Sequence, residues 1–587
     1  MSLLTSMTAS GAVGTLPVRA MHDFAAGSVV VSPAPGSRTA SAGTQLSFLG
    51  ASARRLRPIS VTGSQSGPHG GRLRNYSAGG GASFLPSTPF VPGETVTVHV
   101  PLRIVGAASG TFRFVVGQAV PVSGAVQHHY RTTGPGVLSF ASEPSIAPPQ
   151  VSVAPTAGTA SEGDYFLSPK GSAGQPGPMI LNASGQLVWF HRLAEPNEYA
   201  MNFSMQSFAG KPVLTWWQGN IVAAHGQGED VIMNSSYRTV AVVRGGNGFL
   251  PDLHDFQLTG SRAWVTSYQA LHWNLTSVGG LANGIVWDGI VQEIDVKTGL
   301  VMFEWHSLDH VPVSDSEFTT SADPNSRLDY SHVNSIDVLS PDEIVVSARN
   351  TSAIYDISVA AGGTVQWQLG GKESTFALGP GVRFYLQHDV RVRSDGTITI
   401  FDNDATPVHG PSKALVVRLD RATKQATLVK SIIHRPPLIG AALGNVETLP
   451  GGNLLVSWGT TPYFDEYTSS GALLYEGRLV TGDDSYRVFR SPWSATPATP
   501  PQLALRRLPN GDLEGFASWN GATDVANWRV LSGPSPTSLK VVTTVPRSGF
   551  ETTISLPRSA SAGSVVAQAL DPNGVVLRTS RVTTIRA

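Results

Sequence analysis

The 587-residue chain contains no cysteine, which excludes a disulfide scaffold and every thiolate-ligated zinc or iron–sulfur site. Charge is scarce as well: 14% of residues are Asp, Glu, Lys or Arg, with 41 basic against 41 acidic. A neutral, sparsely charged chain has no electrostatic footprint for nucleic acid or for an anionic membrane surface. No run of 18 apolar residues occurs, so no membrane-spanning helix is expected. The first 25 residues, MSLLTSMTASGAVGTLPVRAMHDFA, lack a basic start followed by a continuous apolar stretch, so no secretory signal is legible there. The absence of cysteine together with abundant Ser, Thr and Gly fits a secreted bacterial protein, and an extracellular or cell-surface location is the expectation.

Apolar residues make up 41% of the chain, and 62 glycines and 41 prolines punctuate short runs rich in Val, Ile, Thr and Trp. That pattern predicts a turn-dense, all-β protein of several units. Residues 27–120 alternate apolar and polar positions between Gly/Pro/Ser turns, as in ETVTVHVPLRI (94–104), and read as an N-terminal β-sandwich. Residues 121–160 are rich in Pro, Ser and Ala and read as a linker. The tail, 501–587, reads as seven short strands of an immunoglobulin- or fibronectin-like sandwich.

Residues 161–500 carry a degenerate repeat. Strand–turn–strand units begin at Asn202, His254, His332, His388 and Asn445, and strands with a Gly/aromatic pattern, such as GLVMFEWH (299–306) and GTVQWQLG (363–370), fall between them. Four strands per unit of roughly 50 residues is the arithmetic of a β-propeller. A closing unit near YFLSPKG (165–171) brings the expectation to six blades.

Three of the units are headed by histidine: LHDF at 253–256, SHVN at 331–334 and QHDV at 387–390. The leading strand of each blade lines the propeller axis, so these side chains are expected to converge. His332 and Asn334, two apart, should share a face. A turn centred on Ser340-Pro341 would place Arg349 opposite His332. The same arithmetic places Phe401 or Asp402 opposite His388, and Ser267 opposite His254. Guanidinium, imidazoles and an amide together form a receptor for an oxyanion, and a neutral imidazole is also a nucleophile. Singly, each of these residues has an ordinary structural reading, as a hydrogen-bonded strand-end histidine, a ladder amide or a salt-bridge arginine. Only their coincidence in successive repeats argues for a site.

The strings HDF, HVNSID with SARNTSAIYDI, QHDVR with DGTITIFDN, GNVETLPGGNLLVSWG and PYFDEYTSSGALLY resemble the bacterial, 3′-phosphoadenosine-phosphosulfate-independent arylsulfotransferases over about residues 160–480. The resemblance implies a six-bladed propeller that passes a sulfuryl group from an aryl sulfate to a phenol by a ping-pong route through a sulfohistidine. It implies His388 as the nucleophile. His332, Asn334 and Arg349 would hold the sulfuryl oxygens, and His254 would bind them or protonate the departing phenolate. No cofactor and no metal are implied; a homodimer is allowed. Well-studied members have a cysteine pair, which this chain lacks.

Two other readings compete. Three convergent histidines could ligate zinc or copper with Asp255 or Asp389 behind them, although a neighbouring arginine would repel the cation. A non-catalytic propeller could instead display a surface for glycans or proteins. Trp216, Trp217 and Tyr268 could stack an aromatic substrate or simply fill cores. No GxxxxGK[ST] loop is present, since GGKEST (370–375) lacks the spacing. His272, His310, His409 and His434 read as surface residues in loops, and His128-His129 carries no identifiable chemistry.

Overall fold

The computed structural model describes residues 27–156, 161–195, 198–404, 410–561 and 563–584. The N-terminal stretch scanned for a signal lies outside them, as does His409. Strands dominate; among the described residues helix is limited to Ser307–His310 and a few 3-10 turns.

Among the described residues between 152 and 491 there are six sheets, each built on strands in sequence order, three of them with one further strand from elsewhere in the chain added at an edge. Each expected hairpin is present: Tyr199–Phe208 with Lys211–Val222, Pro251–Thr259 with Arg262–Trp273, Val333–Ser340 with Glu343–Ala348, His388–Val392 with Thr397–Asp402, and Asn445–Thr448 with Leu454–Ser457. The remaining sheet joins the two ends of this region. Its strands Leu187–Phe190, Met179–Leu181 and Asp164–Pro169 are completed by Ser485–Ser491 from nearly 300 residues later. Leading strands touch in a closed order, from 199–208 through 251–259, 333–340, 388–392, 445–448 and 485–491 back to 199–208.

Side chains at equivalent repeat positions lock each leading strand to the next. Asp255 Oδ2 accepts from the backbone N–H of Ile336 (2.8 Å), Ser335 Oγ from Val390, Asp389 Oδ2 from Val446, and Asn445 Oδ1 from Val488. Two residues further along, Gln206, Asp337 and Glu447 accept from Leu258, Val392 and Arg490 in the same way. Leading strands of different sheets do not share a ladder, so these bonds satisfy buried N–H groups that would otherwise each cost about 1–3 kcal/mol.

At the centre of this closed order lies an alternating charge cluster. The fully buried Arg487 donates to Asn202 Oδ1 (2.9 Å), Asp255 Oδ1 (2.9 Å) and the carbonyl of Asn334 (3.0 Å). Arg391 donates to Asp255 Oδ2 (3.0 Å) and Asp389 Oδ1 (3.0 Å). Asp255 and Asp389 therefore serve the arginines at the centre. The recurrent His-Asp dipeptide thus divides its labour, the aspartate binding the centre and the histidine left for the site.

Asp230 is also buried, with neither carboxylate oxygen hydrogen-bonded. Burial, reinforced by Asp252 and Asp255, raises its pKa well above the ordinary carboxylate value. The folded chain thus keeps a proton that the unfolded chain releases, and stability falls as pH rises above the unfolded value by about 1.4 kcal/mol per unit until the folded group ionises. Asp230→Asn, which needs no proton, is expected to match wild type near pH 4 and exceed it in denaturant midpoint at pH 7. Equal midpoints at both pH values would disprove the protonated state.

Residues 27–120 form two sheets, antiparallel except for the parallel pair Ser28–Ser32 with Arg103–Ile104, around their own core, including Phe48, Val96, Val98 and Phe112. They dock on the outer strand Leu300–His306, where Gln45 Nε2 and Ser47 Oγ reach the carbonyl of Val301 at 2.9 and 2.6 Å. Within the expected linker, residues 121–156 run along the sheets, making bridges at Ala125↔Val222 and Arg131↔Ala173, and add strand Ser152–Pro155 to the edge of the last sheet. Beyond residue 501, two sheets surround a core containing Trp519, Trp528 and Val565. They meet the preceding sheets through Tyr237 Oη on the carbonyl of Gly521 (2.8 Å) and a Phe140–Phe550 pair.

Candidate functional site

At the heads of the leading strands the backbone departs from regular alternation. The φ of His332 is 52° and that of Asp389 is 50°, an uncommon conformation for residues with a side chain. Register shifts follow each histidine, between Val333 and Ser335 and between His388 and Arg391. These irregularities let adjacent residues serve different faces.

His388 pairs with Phe401, one of its two expected partners. Arg349 donates its backbone N–H to the carbonyl of His332 (2.9 Å), so this pair is also as expected. The route differs, however: Ser340 pairs with Glu343 across a Pro341-Asp342 turn, and two bulges shift the register back to the expected pairing. His254 departs from expectation. Ser267 pairs with Pro251 instead, because the register slips by three residues between Pro251 and Phe256 and leaves His254 in the bulged stretch.

The three histidines converge. Ring centroids of His254 and His332 lie 4.7 Å apart, and those of His332 and His388 lie 6.4 Å apart. Each ring is held through Nδ1: His254 by Asp252 Oδ1, His332 by Asp329 Oδ2 (2.5 Å) and His388 by Asn403 Oδ1 (2.7 Å). The amide nitrogen of Asn403 donates to the carbonyls of Gly440 and Leu443 at 2.7 and 3.0 Å, so its oxygen faces the imidazole and must accept. His388 therefore carries its proton on Nδ1. Its Nε2 lone pair accepts a long bond from the backbone N–H of Leu443 (3.3 Å). Burial first, and then the Arg349 charge, depress the His388 pKa well below the ordinary value, so the ring is neutral.

Arg349 is only partly buried and donates to Asn350 Oδ1 (2.7 Å) and to the carbonyl of Ala441 (3.1 Å), while its buried Nε has no hydrogen-bond partner. Asn334 reaches the site indirectly. Its Nδ2 donates to the carbonyl of Gln387 (2.7 Å), immediately before His388, and its Oδ1 is buried without a partner.

Several participants were not anticipated from the sequence. His225 stacks on Tyr268 at 4.0 Å and lies 5.5 Å from His332, with no hydrogen bond to either ring nitrogen. It follows a two-residue Ala223-Ala224 turn in which both residues have positive φ, a conformation normally signalled by Asn or Gly. The pair Ala-Ala concealed the hairpin. Burial pulls the His225 pKa down to about 4. Asp329 comes from the end of the long insertion 314–329; burial opposes its ionisation, but His332 and His225 hold it below the usual carboxylate range. Asp252 is treated likewise by His254.

Tyr268 lies among these rings, its hydroxyl on the carbonyl of Val333 (2.6 Å), whereas Trp216 and Trp217 are core residues. The other histidines read as surface loops differ from expectation. His434 is 3% exposed, His272 sits in a strand and His310 in a short helix, both half-buried, because neighbouring segments cover what look like open loops. His128 is buried against Tyr199, ring centroids 4.3 Å apart.

Residues 204–479 match the family described as arylsulfotransferase (ASST). No curated protein matches the chain. Among solved structures, a protein of unknown function from Bacteroides caccae is 13% identical, with 56% of this chain and 98% of that one covered at a TM-score of 0.34. An inactive virginiamycin B lyase from Staphylococcus aureus with quinupristin is 11% identical, with 62% and 95% covered at 0.24. The GH43 protein BlXynB from Bacillus licheniformis is 8% identical, with 63% and 84% covered at 0.27. Overlaps this weak determine neither fold nor function.

Proposed function

Because residues 204–479 match the arylsulfotransferase family, we propose that the protein moves a sulfuryl group from an aryl sulfate to a phenolic acceptor through His388. The observation that carries this reading is the tautomer. Asn403 holds the His388 proton on Nδ1, so a neutral imidazole presents the Nε2 lone pair beside the Arg349 guanidinium.

In the first half-reaction Nε2 attacks sulfur, the S–O(aryl) bond breaks, and its electron pair leaves with the phenolate. Arg349 and His332 face the sulfuryl oxygens, with Asn334 fixing the Gln387 backbone ahead of the nucleophile. Donors placed where charge develops supply several kcal/mol of such a barrier. To His254, whose ring is held by Asp252, we assign the proton transfer to the departing phenolate. In the second half-reaction the acceptor phenol gives its proton to His254, its oxygen bonds to sulfur, and the S–N bond breaks with its electron pair returning to His388 Nε2. We read the six sheets as a six-bladed propeller, on the closed order of leading strands, and the flanking units as immunoglobulin-like sandwiches. We place the protein outside the cytoplasm on composition, which cell fractionation tests.

The test is release of 4-nitrophenol from 4-nitrophenyl sulfate with and without excess phenol. Phenol should accelerate release, and donor alone should leave one SO3 on the protein in an intact mass measurement. Release indifferent to phenol would mean hydrolysis, and no release from folded protein would refute the proposal.

One observation favours a second reading. His225, Asp329 and His332 offer ligand atoms all within 4.8 Å of one another, and His225 is otherwise unbonded. A divalent ion there would make this a metal site, against repulsion from Arg349. Stoichiometric metal in purified protein, lost in His225→Gln, would favour it.

A further inference from the structure

A second chemical cluster lies away from these histidines, where the segment following strand Gln425–Ile432 meets the last sheet. His434, Asp465 and Glu476 present ligand atoms all within 4.8 Å of one another. They line a cavity of about 340 Å³.

Three features of this cluster are hard to explain by protein contacts alone. First, Asp465 and Glu476 are directly opposed on the paired strands Tyr463–Tyr467 and Leu473–Arg478. Facing carboxylates repel, and a sheet gains nothing by opposing them unless positive charge sits between. Second, the buried Asp465 has one engaged and one idle oxygen. Oδ2 accepts from Trp458 Nε1 (2.7 Å) and Tyr467 Oη (3.0 Å), while Oδ1 has no partner. Third, His434 keeps Nδ1 on the carbonyl of Pro436 (2.7 Å), where it must donate. Nε2 then presents a lone pair to Asp465 Oδ2 at 3.5 Å. Two acceptors do not face each other at that distance without a cation or proton between them.

This is also how a metal site is prepared. A ligating imidazole donates its other N–H to a carbonyl, and a ligating carboxylate is steadied by further donors on its second oxygen. In Asp465 the oxygen left to ligate is Oδ1, which has no partner, while Oδ2 holds the Trp458 and Tyr467 donors. We propose that His434, Asp465 and Glu476 bind a divalent cation of the zinc type, which ties the chain leaving one sheet to the middle strands of the next. Imidazole plus two carboxylates suits zinc better than calcium, which takes oxygen ligands only. Lys430 and Arg435 line the same cavity; Lys430 is occupied by the carbonyl of Ser469.

The experiment is calorimetric titration of EDTA-treated, dialysed full-length protein with zinc chloride, alongside E476Q, H434Q and H225Q. Wild type and H225Q should each take up zinc at this site. Affinity should fall tenfold or more in E476Q and H434Q. Zinc should raise the thermal midpoint of wild type but not of E476Q, whose metal-free midpoint should be no lower than wild type because a repulsion is gone. No uptake by wild type would overturn the proposal and leave a shared proton between His434 and Asp465. Uptake abolished in H225Q but intact in E476Q would also overturn it, by moving the ion to the central histidines.

Discussion

His388→Ala is expected to lose phenol-dependent release of 4-nitrophenol from 4-nitrophenyl sulfate by on the order of 10³-fold or more, as removal of a nucleophile does elsewhere. The other donors bind sulfate without a bond-forming atom, so donor binding should change far less than turnover. The substitution also leaves Asn403 Oδ1 without its donor in a buried setting, which costs about 1–3 kcal/mol. Stability must therefore be measured beside activity. Two readouts separate chemistry from folding: the donor-derived SO3 adduct should vanish, and added imidazole should restore part of the rate. Because burial and Arg349 keep His388 neutral well below pH 6.5, the acid limb of kcat/KM for wild type should not fall in the ordinary histidine range unless a second group supplies it. Full activity in His388→Ala would end the assignment of this residue.

Arg487→Ala should produce the largest loss of stability, about 3–5 kcal/mol, read as a lowered denaturant midpoint. The argument rests on what is left behind. Asp255 keeps one partner in Arg391 and the carbonyl of Asn334 keeps Tyr486 Oη, but Asn202 Oδ1 loses its donor and a buried negative charge is less compensated. Arg487→Lys retains the charge but cannot span three acceptors, so it should recover only part of the difference. An unchanged midpoint in Arg487→Ala would show that Arg391 alone holds the centre together.

The arrangement also shows why short sequence signals succeeded unevenly. His-Asp at 254–255 and 388–389 was legible because both residues recur at one repeat position. That Asp255 and Asp389 serve two arginines rather than the histidines beside them was not, because Arg487 is contributed by the closing strand, 232 residues beyond Asp255. Arg349 opposite His332 followed from counting across a turn, yet only because two bulges cancelled the error in the turn's position. The same count failed at His254, where a three-residue slip intervenes. His225 and Asp329 were missed for separate reasons. One follows a turn without turn residues, and the other sits in an insertion that carries no repeat.

By itself the sequence determined the local periodicities. Alternating apolar positions dictate strands, glycines and prolines dictate turns, and the fourfold strand repeat dictates sheets in chain order; all of these are short-range consequences of side-chain geometry. The tertiary structure decided which nitrogen of His388 carries the proton, which aspartates are ionised, and which carboxylates are left facing one another at Asp465 and Glu476. Those outcomes depend on burial and on partners hundreds of residues away. Electrostatic energy depends on distance in space, and distance along the chain does not report it.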